Sequence, residues 1–192
     1  LKFSTSAPLR IGIKQQIVAR WPGKMLEIYG LTEGGGSTIL SCTDFPTKLE
    51  SVGVPAETAD IRLIDAEGNE LAQGEIGEVV GRSQGMMAGY YKRQDLTDDM
   101  LWQSPEGITF FRTGDMGRFD EDGFLFLLDR IKDMIISGGF NIYAADLEAV
   151  LTDHPDVADI AVIGIPSDQW GETPLGLVVA EPGAKASAAD LT

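Results

Sequence analysis

The residues whose types and spacing most suggest chemistry lie at 29–36, in the stretch Tyr-Gly-Leu-Thr-Glu-Gly-Gly-Gly. An apolar run ends there in the hydroxyl of Thr32 and the carboxylate of Glu33, two groups able to bind a polar ligand, and three glycines follow at once. A turn needs one or two glycines, so three in succession indicate that another group comes close to the backbone. The alternative is a strand that ends in an ordinary flexible turn, with both polar side chains in solvent.

The elements that must position this stretch change in character along the chain. Residues 9–21 carry apolar side chains at helical spacing, which predicts a helix ending at Pro22. Strands are predicted at 25–29 and, more briefly, at 38–42. From 44 to 128, short alternating strands are separated by turn residues, and this pattern predicts an antiparallel, barrel-like subdomain.

The pattern changes again near residue 130. A Gly-Gly turn interrupts an apolar run at 131–142, a helix is predicted at 144–152, and strands are predicted at 157–166 and 174–181. This order of strand, helix and two strands predicts a small α+β domain.

The charge and composition of the chain limit the partners and the cellular location that can be expected for it. The 192 residues carry a formal net charge of −15, which argues against a nucleic-acid partner because phosphate polymers are repelled by such a surface. Cys42 is the only cysteine, so no disulfide can form within the chain, as is typical of a reducing compartment. We find no signal-peptide pattern and no apolar run long enough to span a membrane. A cytoplasmic protein is expected, and the missing initial Met and the abrupt ends lead us to expect a fragment of a longer chain.

Three further stretches accompany residues 29–36 in order along the chain. They are Gly74–Gly81 with Gly89-Tyr90-Tyr91, Phe111–Asp115 with Asp122-Gly123-Phe124, and Asp129–Ile135 with Ser137–Ile142. Each is weak evidence alone. Together and in this order they resemble the adenylate-forming superfamily, which includes acyl- and aryl-CoA synthetases, luciferases and the adenylation domains of peptide synthetases. The resemblance covers nearly the whole chain.

The resemblance implies a nucleotide site. Tyr29, followed by Gly30, would stack on adenine, and Thr32 would donate a hydrogen bond to a phosphate oxygen. Glu33 would hold Mg²⁺, a hard cation that prefers oxygen ligands. Asp115 would accept hydrogen bonds from both ribose hydroxyls, which the two oxygens of one carboxylate allow.

Other nucleotide contacts follow from the same resemblance. Ser6, Ala7 and Pro8 fall in the segment that the family places beside adenine, although Thr5 stands where the family more often has glycine. Arg130 would contact the ribose and phosphate side. Without the resemblance, Asp115 would be interpreted as a turn cap and Arg130 as part of a surface ion pair.

The acid and the thiol would have sites of their own. Gly34, Gly35 and Gly36 would leave room for the substrate carboxylate and the start of its tail. Lys132 falls at the hinge about which the family's small domain pivots during catalysis. Gly138, Gly139 and Trp170 would contact coenzyme A, although a half-buried structural tryptophan is an equal alternative at position 170.

The implied fold is mixed α/β and β. It comprises the end of an α/β adenylation-domain sheet, a distorted antiparallel β-barrel subdomain and a small α+β C-terminal domain. We predict that residues 1–129 belong to the large AMP-binding domain, with 44–128 as the barrel-like subdomain. Residues 130–192 would form a truncated, mobile C-terminal domain.

The implied activity is ATP-dependent conversion of a fatty or aromatic acid to an acyl-adenylate, followed by transfer to coenzyme A. ATP, Mg²⁺, coenzyme A and a carboxylic acid are the expected cofactors and partners. The family's phosphate-binding loop and its catalytic lysine are expected outside this chain, so the fragment alone is expected to be inactive. Two alternatives stay open: an adenylation domain that serves a carrier protein, and an inactive module that kept the nucleotide-binding fold.

Overall fold

The computed structural model describes residues 1–7 and 9–191. The chain divides into two compact units, Leu1–Leu127 and Leu128–Thr192. The predicted assignment of residues 1–129 and 130–192 to a large and a small catalytic domain stays a prediction.

The first unit begins with a four-stranded sheet and one helix. Their bounds are β1 Lys2–Thr5, α1 Ile11–Arg20, β2 Met25–Gly30, β3 Ser37–Ser41 and β4 Val54–Pro55. β1 runs parallel to β2, whereas β3 is antiparallel to both of its neighbours, in the order β1-β2-β3-β4. Ile17 and Val18 of α1 pack against a core that contains Met25 and Leu40. Residues 29–36 begin at the C-terminal end of β2, so this sheet positions the start of that stretch.

A second sheet belongs mainly to the first unit, and its last strand continues past the boundary at Leu127. Its elements are β5 Asp60–Ile64, β6 Ile76–Arg82, α2 Gln94–Asp99, β7 Leu101–Gln103, β8 Thr109–Phe119 and β9 Leu125–Arg130. The order is β5-β6-β8-β7, with β9 also paired to β8, and the sheet forms a half-barrel. The predicted fold class, including the barrel-like part, is confirmed. α2 was not expected from the sequence, because Leu96 is the one apolar side chain among its six residues.

The second unit is a four-stranded sheet with one helix. Its elements are β10 Ile135–Ser137, β11 Phe140–Ile142, α3 Ala144–Thr152, β12 Val157–Ser167 and β13 Gly171–Ala180, followed by a short 3-10 turn, Ala188–Asp190. The strand order is β11-β10-β13-β12. Glu148 of α3 accepts a hydrogen bond from the backbone N–H of Val162 at 2.8 Å, so the helix is tied to β12. Within the described residues, we find no helix with the length and apolar character needed to cross a membrane.

The three glycines after Glu33 lie against the second sheet and the loop that follows β6. Gly34 and Gly36 have φ of +77° and +84°, values that side chains rarely adopt. A Cβ on Gly34 would come within 3 Å of the Gly85 backbone, and one on Gly35 would lie 3.2 Å from the Cβ of Phe111. The close approach of other protein atoms is therefore one reason why these positions carry no side chain. Their predicted role in leaving room for an acyl group stays a prediction.

A buried ion pair joins α1 to β2. Lys14 and Glu27 are each 4% exposed, and the Lys14 ammonium pairs with the Glu27 carboxylate. Lys14 also donates a hydrogen bond to the carbonyl oxygen of Leu49 at 2.6 Å. One charged side chain thus connects the helix, the sheet and the segment before β4.

Replacing Lys14 with Met should destabilise the chain strongly, because it leaves the Glu27 carboxylate buried without its counter-charge. Loss of one partner of a buried pair costs about 3–5 kcal/mol. Urea unfolding of the chain measures the effect. Lys24→Met is the matched control, because Lys24 pairs with Asp44 at 2.8 Å on the exposed surface. Equal losses in the two variants would contradict the structural role assigned to Lys14.

Gly34→Ala should destabilise the chain by more than Gly74→Ala. Both positions have positive φ, so both variants carry a backbone cost of about 1–2 kcal/mol. A Cβ on Gly74 would meet nothing within 4 Å, whereas one on Gly34 would collide with the Gly85 backbone. We expect the collision to add about 1–3 kcal/mol in urea unfolding. Similar losses of stability in the two variants would show that the turn at Gly34 and the loop at Gly85 are not in tight contact.

Candidate active site

Two carboxylates, Glu33 and Asp115, occupy the positions predicted to hold Mg²⁺ and ribose. Glu33 is half-buried in the turn between β2 and β3, and Asp115 is 7% exposed within β8. Each accepts a hydrogen bond from a tyrosine hydroxyl that is distant in sequence. A hydrogen bond from a tyrosine hydroxyl therefore helps to orient each of the two carboxylates.

Asp115 lies at an irregularity in β8. The register between β6 and β8 shifts between Glu78 and Val80, and Gly114 has φ of +73°. Such bulges re-aim side chains and are frequent next to active sites. The Asp115 backbone N–H donates to the Thr113 hydroxyl oxygen at 3.0 Å, which stabilises the bulge. The irregular strand thus sets the direction of the Asp115 carboxylate.

Tyr29 connects the predicted adenine and ribose positions. Its hydroxyl donates to Oδ2 of Asp115 at 2.7 Å, across 86 residues of sequence. Its ring packs against the core cluster that includes Ile61 and Leu63. The sequence predicted a role for the ring alone, because a hydroxyl partner this far along the chain leaves no local pattern.

Glu33 is held by the segment that follows β6. The Tyr90 hydroxyl donates to Oε1 of Glu33 at 2.9 Å, and the Met87 backbone N–H donates to the Glu33 carbonyl oxygen at 2.8 Å. The Ser83 hydroxyl donates to the carbonyl oxygen of Gly34 at 2.8 Å. Burial, and secondarily the Glu33 carboxylate, raises the pKa of Tyr90 above its ordinary value of 10.0. The phenol therefore stays protonated, and remains a donor, well above neutral pH.

Tyr90 contacts the site, although no role was predicted for it from the sequence. It stands in the Gly89-Tyr90-Tyr91 stretch that contributed to the resemblance. Nothing in that stretch distinguishes Tyr90 from Tyr91, yet Tyr91 is 86% exposed. Only the packing of the loop separates them.

Four further residues with predicted roles, Ser6, Ala7, Gly30 and Thr32, are exposed. Thr32 lies at the surface of the turn, and Gly30 ends β2, paired with Ser37. Ser6 follows β1 with φ of +76°, and Ala7 is exposed. Pro8 lies outside the described residues.

The second unit contains the residues predicted for the hinge and for coenzyme A. Arg130 and Lys132 are exposed at its N-terminal end. Gly138 and Gly139, both with positive φ, form the turn between β10 and β11. Gly138 donates its backbone N–H to the carbonyl oxygen of Trp170 at 2.8 Å, and a Cβ on Gly138 would lie 2.8 Å from the indole. The structure thus brings Trp170 and Gly138 together.

The described residues include no group of three or more His, Cys, Asp or Glu side chains able to hold a metal. Mg²⁺ in nucleotide enzymes is commonly bound by one or two carboxylates together with substrate phosphates and waters. A single half-buried glutamate such as Glu33 fits that kind of site.

Comparisons with known proteins identify the family of this chain. The family model of AMP-binding enzymes matches residues 1–91, and the model of the AMP-binding enzyme C-terminal domain matches residues 146–192. A long-chain-fatty-acid–CoA ligase of Escherichia coli O157:H7 is 38% identical over 163 residues, 82% of this chain and 28% of its own length. The fatty acid–[acyl-carrier-protein] ligase ScoC of Streptomyces coeruleorubidus is 35% identical over 96% of this chain and 36% of its own length.

Solved structures show the same relationship. ATP-bound MatB from Rhodopseudomonas palustris superposes with a TM-score of 0.85 at 33% identity, over 98% of this chain and 37% of that one. MenE, the o-succinylbenzoate CoA synthetase of Bacillus subtilis in complex with its acyl-adenylate, gives 0.85 at 31% identity, over 99% of this chain and 38% of that one. The chain thus spans about a third of the length of these relatives. Both family models, the fold and the motif series agree: the chain belongs to the adenylate-forming superfamily of AMP-binding enzymes.

Proposed function

We propose that this chain is part of a longer enzyme that activates a carboxylic acid with ATP and transfers the acyl group to coenzyme A. The observation that carries the proposal is that Glu33 and Asp115, which the resemblance assigns to nucleotide binding, each accept a hydrogen bond from a tyrosine hydroxyl. The names of the relatives support the acid and the thiol, since they include long-chain-fatty-acid–CoA ligases.

The reaction has two steps. A carboxylate oxygen of the acid attacks the α-phosphorus of ATP, and pyrophosphate leaves with the electrons of the broken P–O bond. The thiolate sulfur of coenzyme A then attacks the acyl carbon, and AMP leaves. Fatty and aromatic acids are the substrate classes that the relatives support, through the fatty-acid ligases and MenE.

The nucleotide would be oriented by Tyr29 and Asp115 of the first unit, with Arg130 as the predicted contribution from residues beyond Leu127. The Tyr29 ring would cover adenine beside Ser6, Ala7 and Gly30. Asp115 would accept hydrogen bonds from the ribose hydroxyls, and its bond from Tyr29 would hold it in that direction. Arg130 would contribute positive charge on the ribose and phosphate side.

The phosphates would be met at the turn after β2. Thr32 is exposed there and would donate its hydroxyl proton to a phosphate oxygen. Glu33 would hold Mg²⁺, which supplies neutralisation of phosphate charge when bound. The backbone of Gly34–Gly36, which carries no side chains, would leave room for the acid nearby.

The second unit would act in thioester formation. Lys132 would lie at a hinge, and Gly138 and Gly139 would pass close to the pantetheine arm of coenzyme A. Trp170 contacts the Gly138 backbone, which supports one binding surface for coenzyme A formed by both residues. Trp170 is 51% exposed, so part of its indole is available to that ligand. Residues 130–192 would accordingly form the mobile C-terminal domain and 1–129 part of the large domain.

A carrier-protein thiol is the second candidate acceptor. ScoC, named for ligation to an acyl-carrier protein, matches 96% of this chain. Gly138, Gly139 and Trp170 favour coenzyme A as the first choice.

We propose a cytoplasmic location because the single cysteine, Cys42, is buried and free, as is typical of a reducing compartment.

AMP formation by the whole protein tests the proposed activity. Mg-ATP is supplied with a panel of fatty and aromatic acids, with and without coenzyme A. We expect AMP release that requires one class of acid and coenzyme A together. Release with an acyl-carrier protein in place of coenzyme A would establish the second candidate. No acid-dependent turnover with either thiol would overturn the proposal and favour an inactive nucleotide-binding module.

Tyr29→Phe tests the link between adenine and ribose. The variant keeps the ring and removes the donor to Asp115, so AMP should bind about tenfold more weakly, as expected for loss of a hydrogen bond to a charged group. Calorimetric titration of the whole protein with AMP measures the affinity. Tyr91→Phe is the control, because Tyr91 is exposed. Unchanged AMP affinity in Tyr29→Phe would contradict the assigned role of its hydroxyl.

A further inference from the structure

Tyr90 reaches the Glu33 carboxylate from a loop 57 residues further along the chain. The loop follows β6 and ends at α2, and Tyr90 is half-buried in it. Its hydroxyl donates to Oε1 of Glu33 at 2.9 Å, which leaves Oε2 as the oxygen for another partner. The hydrogen bond joins the one carboxylate of the turn to a neutral donor.

Tyr90 is itself fixed by a buried contact. Its backbone N–H donates to the hydroxyl oxygen of Thr97 at 2.9 Å, and Thr97 is 4% exposed. The Thr97 hydroxyl in turn donates to the carbonyl oxygen of Arg93 at 3.0 Å. A Cβ on Gly89 would lie 3.1 Å from Thr97, so the loop packs closely on this residue. α2 thereby sets the position of the tyrosine.

The Glu33 side of the contact is equally constrained. The Met87 backbone N–H donates to the Glu33 carbonyl oxygen, and the Ser83 hydroxyl donates to the carbonyl oxygen of Gly34. Both ends of the hydrogen bond between Tyr90 and Glu33 are therefore attached to backbone held in place. Of these three contacts, the hydrogen bond from the Tyr90 hydroxyl is the one that reaches the Glu33 side chain.

We propose that Tyr90 is a positioning residue that orients the Glu33 carboxylate toward a nucleotide-bound divalent cation. This inference rests on the proposed function, in which Glu33 holds that cation. A phenol suits the task because it orients the carboxylate without cancelling its charge, as a lysine or arginine partner would. Outer partners of this kind commonly change metal affinity by 10- to 100-fold when removed.

The competing explanation is that Tyr90 merely ties the loop to the turn. Ser83 provides the matched control, because its hydroxyl ties the same loop to the same turn without touching the carboxylate. A purely structural tie predicts the same consequences for Tyr90→Phe and Ser83→Ala. Orientation of the carboxylate predicts an effect on the metal in Tyr90→Phe alone.

The test measures metal binding directly in the whole protein that contains this chain. Mn²⁺ serves as the probe, with a non-hydrolysable ATP analogue at saturation, and free Mn²⁺ is followed by electron paramagnetic resonance. We expect Tyr90→Phe to raise the Kd for Mn²⁺ about tenfold, with Ser83→Ala close to wild type. Unfolding midpoints confirm that the variants are folded.

A double-mutant cycle with Glu33→Gln locates the effect. In that background Tyr90→Phe should cause no further loss of Mn²⁺ affinity, because the carboxylate it orients is gone. Equal effects of Tyr90→Phe and Ser83→Ala, or an unchanged Kd in Tyr90→Phe, would overturn the inference while leaving the activity of the wild-type enzyme intact. Failure of the proposed function is seen separately, as wild-type protein that releases no acid-dependent AMP.

Discussion

The close backbone contact between the glycine turn after β2 and the loop after β6 is the constraint on which the site depends. Gly34 has no Cβ, so the Gly85 backbone can lie where a side chain would otherwise be. At this separation Ser83, Met87 and Tyr90 all reach the turn with hydrogen bonds. A larger residue at 34 would push the loop away, and the Tyr90 hydroxyl would lose Glu33. The absence of a side chain at Gly34 thereby affects how the Glu33 carboxylate is oriented.

Four buried or half-buried carboxylates of the first unit differ in the partners that orient them. Glu27 pairs with Lys14, and Glu78 pairs with Arg112, so cations oppose their charge within the protein. These pairs connect elements of the fold. Glu33 and Asp115 each accept a hydrogen bond from a tyrosine hydroxyl, which is a neutral donor. A carboxylate that a phenol helps to orient keeps its charge and can accept further hydrogen bonds or bind a cation. A tyrosine partner is therefore compatible with binding of a ligand by these two carboxylates.

The second unit shows a related use of glycine. Gly138 has positive φ and lies against the Trp170 indole, and its backbone N–H donates a hydrogen bond to the backbone carbonyl oxygen of Trp170. Ser137 of β10 pairs with Gly171 of β13, so the sheet brings the turn and the tryptophan together. The indole is packed on one side and half exposed overall. The structural and ligand-binding interpretations of Trp170 are therefore compatible.

Local sequence patterns predicted most of the helices and strands, and the family resemblance identified most of the candidate residues. α3 spans Ala144–Thr152, as predicted, because its apolar spacing is contained within the helix itself. α2 escaped prediction because the burial of Thr97 depends on a loop packed around it and not on a local pattern. The three glycines indicated a close approach, but not that the Gly85 backbone, about 50 residues away, makes it. The hydroxyl partners of Asp115 and Glu33 also came from distant segments, Tyr29 and Tyr90. Residue types and their spacing thus determined which groups are available for chemistry. Only the tertiary structure decided which tyrosine supports which carboxylate, because hydrogen bonds between distant segments depend on packing that no local pattern records.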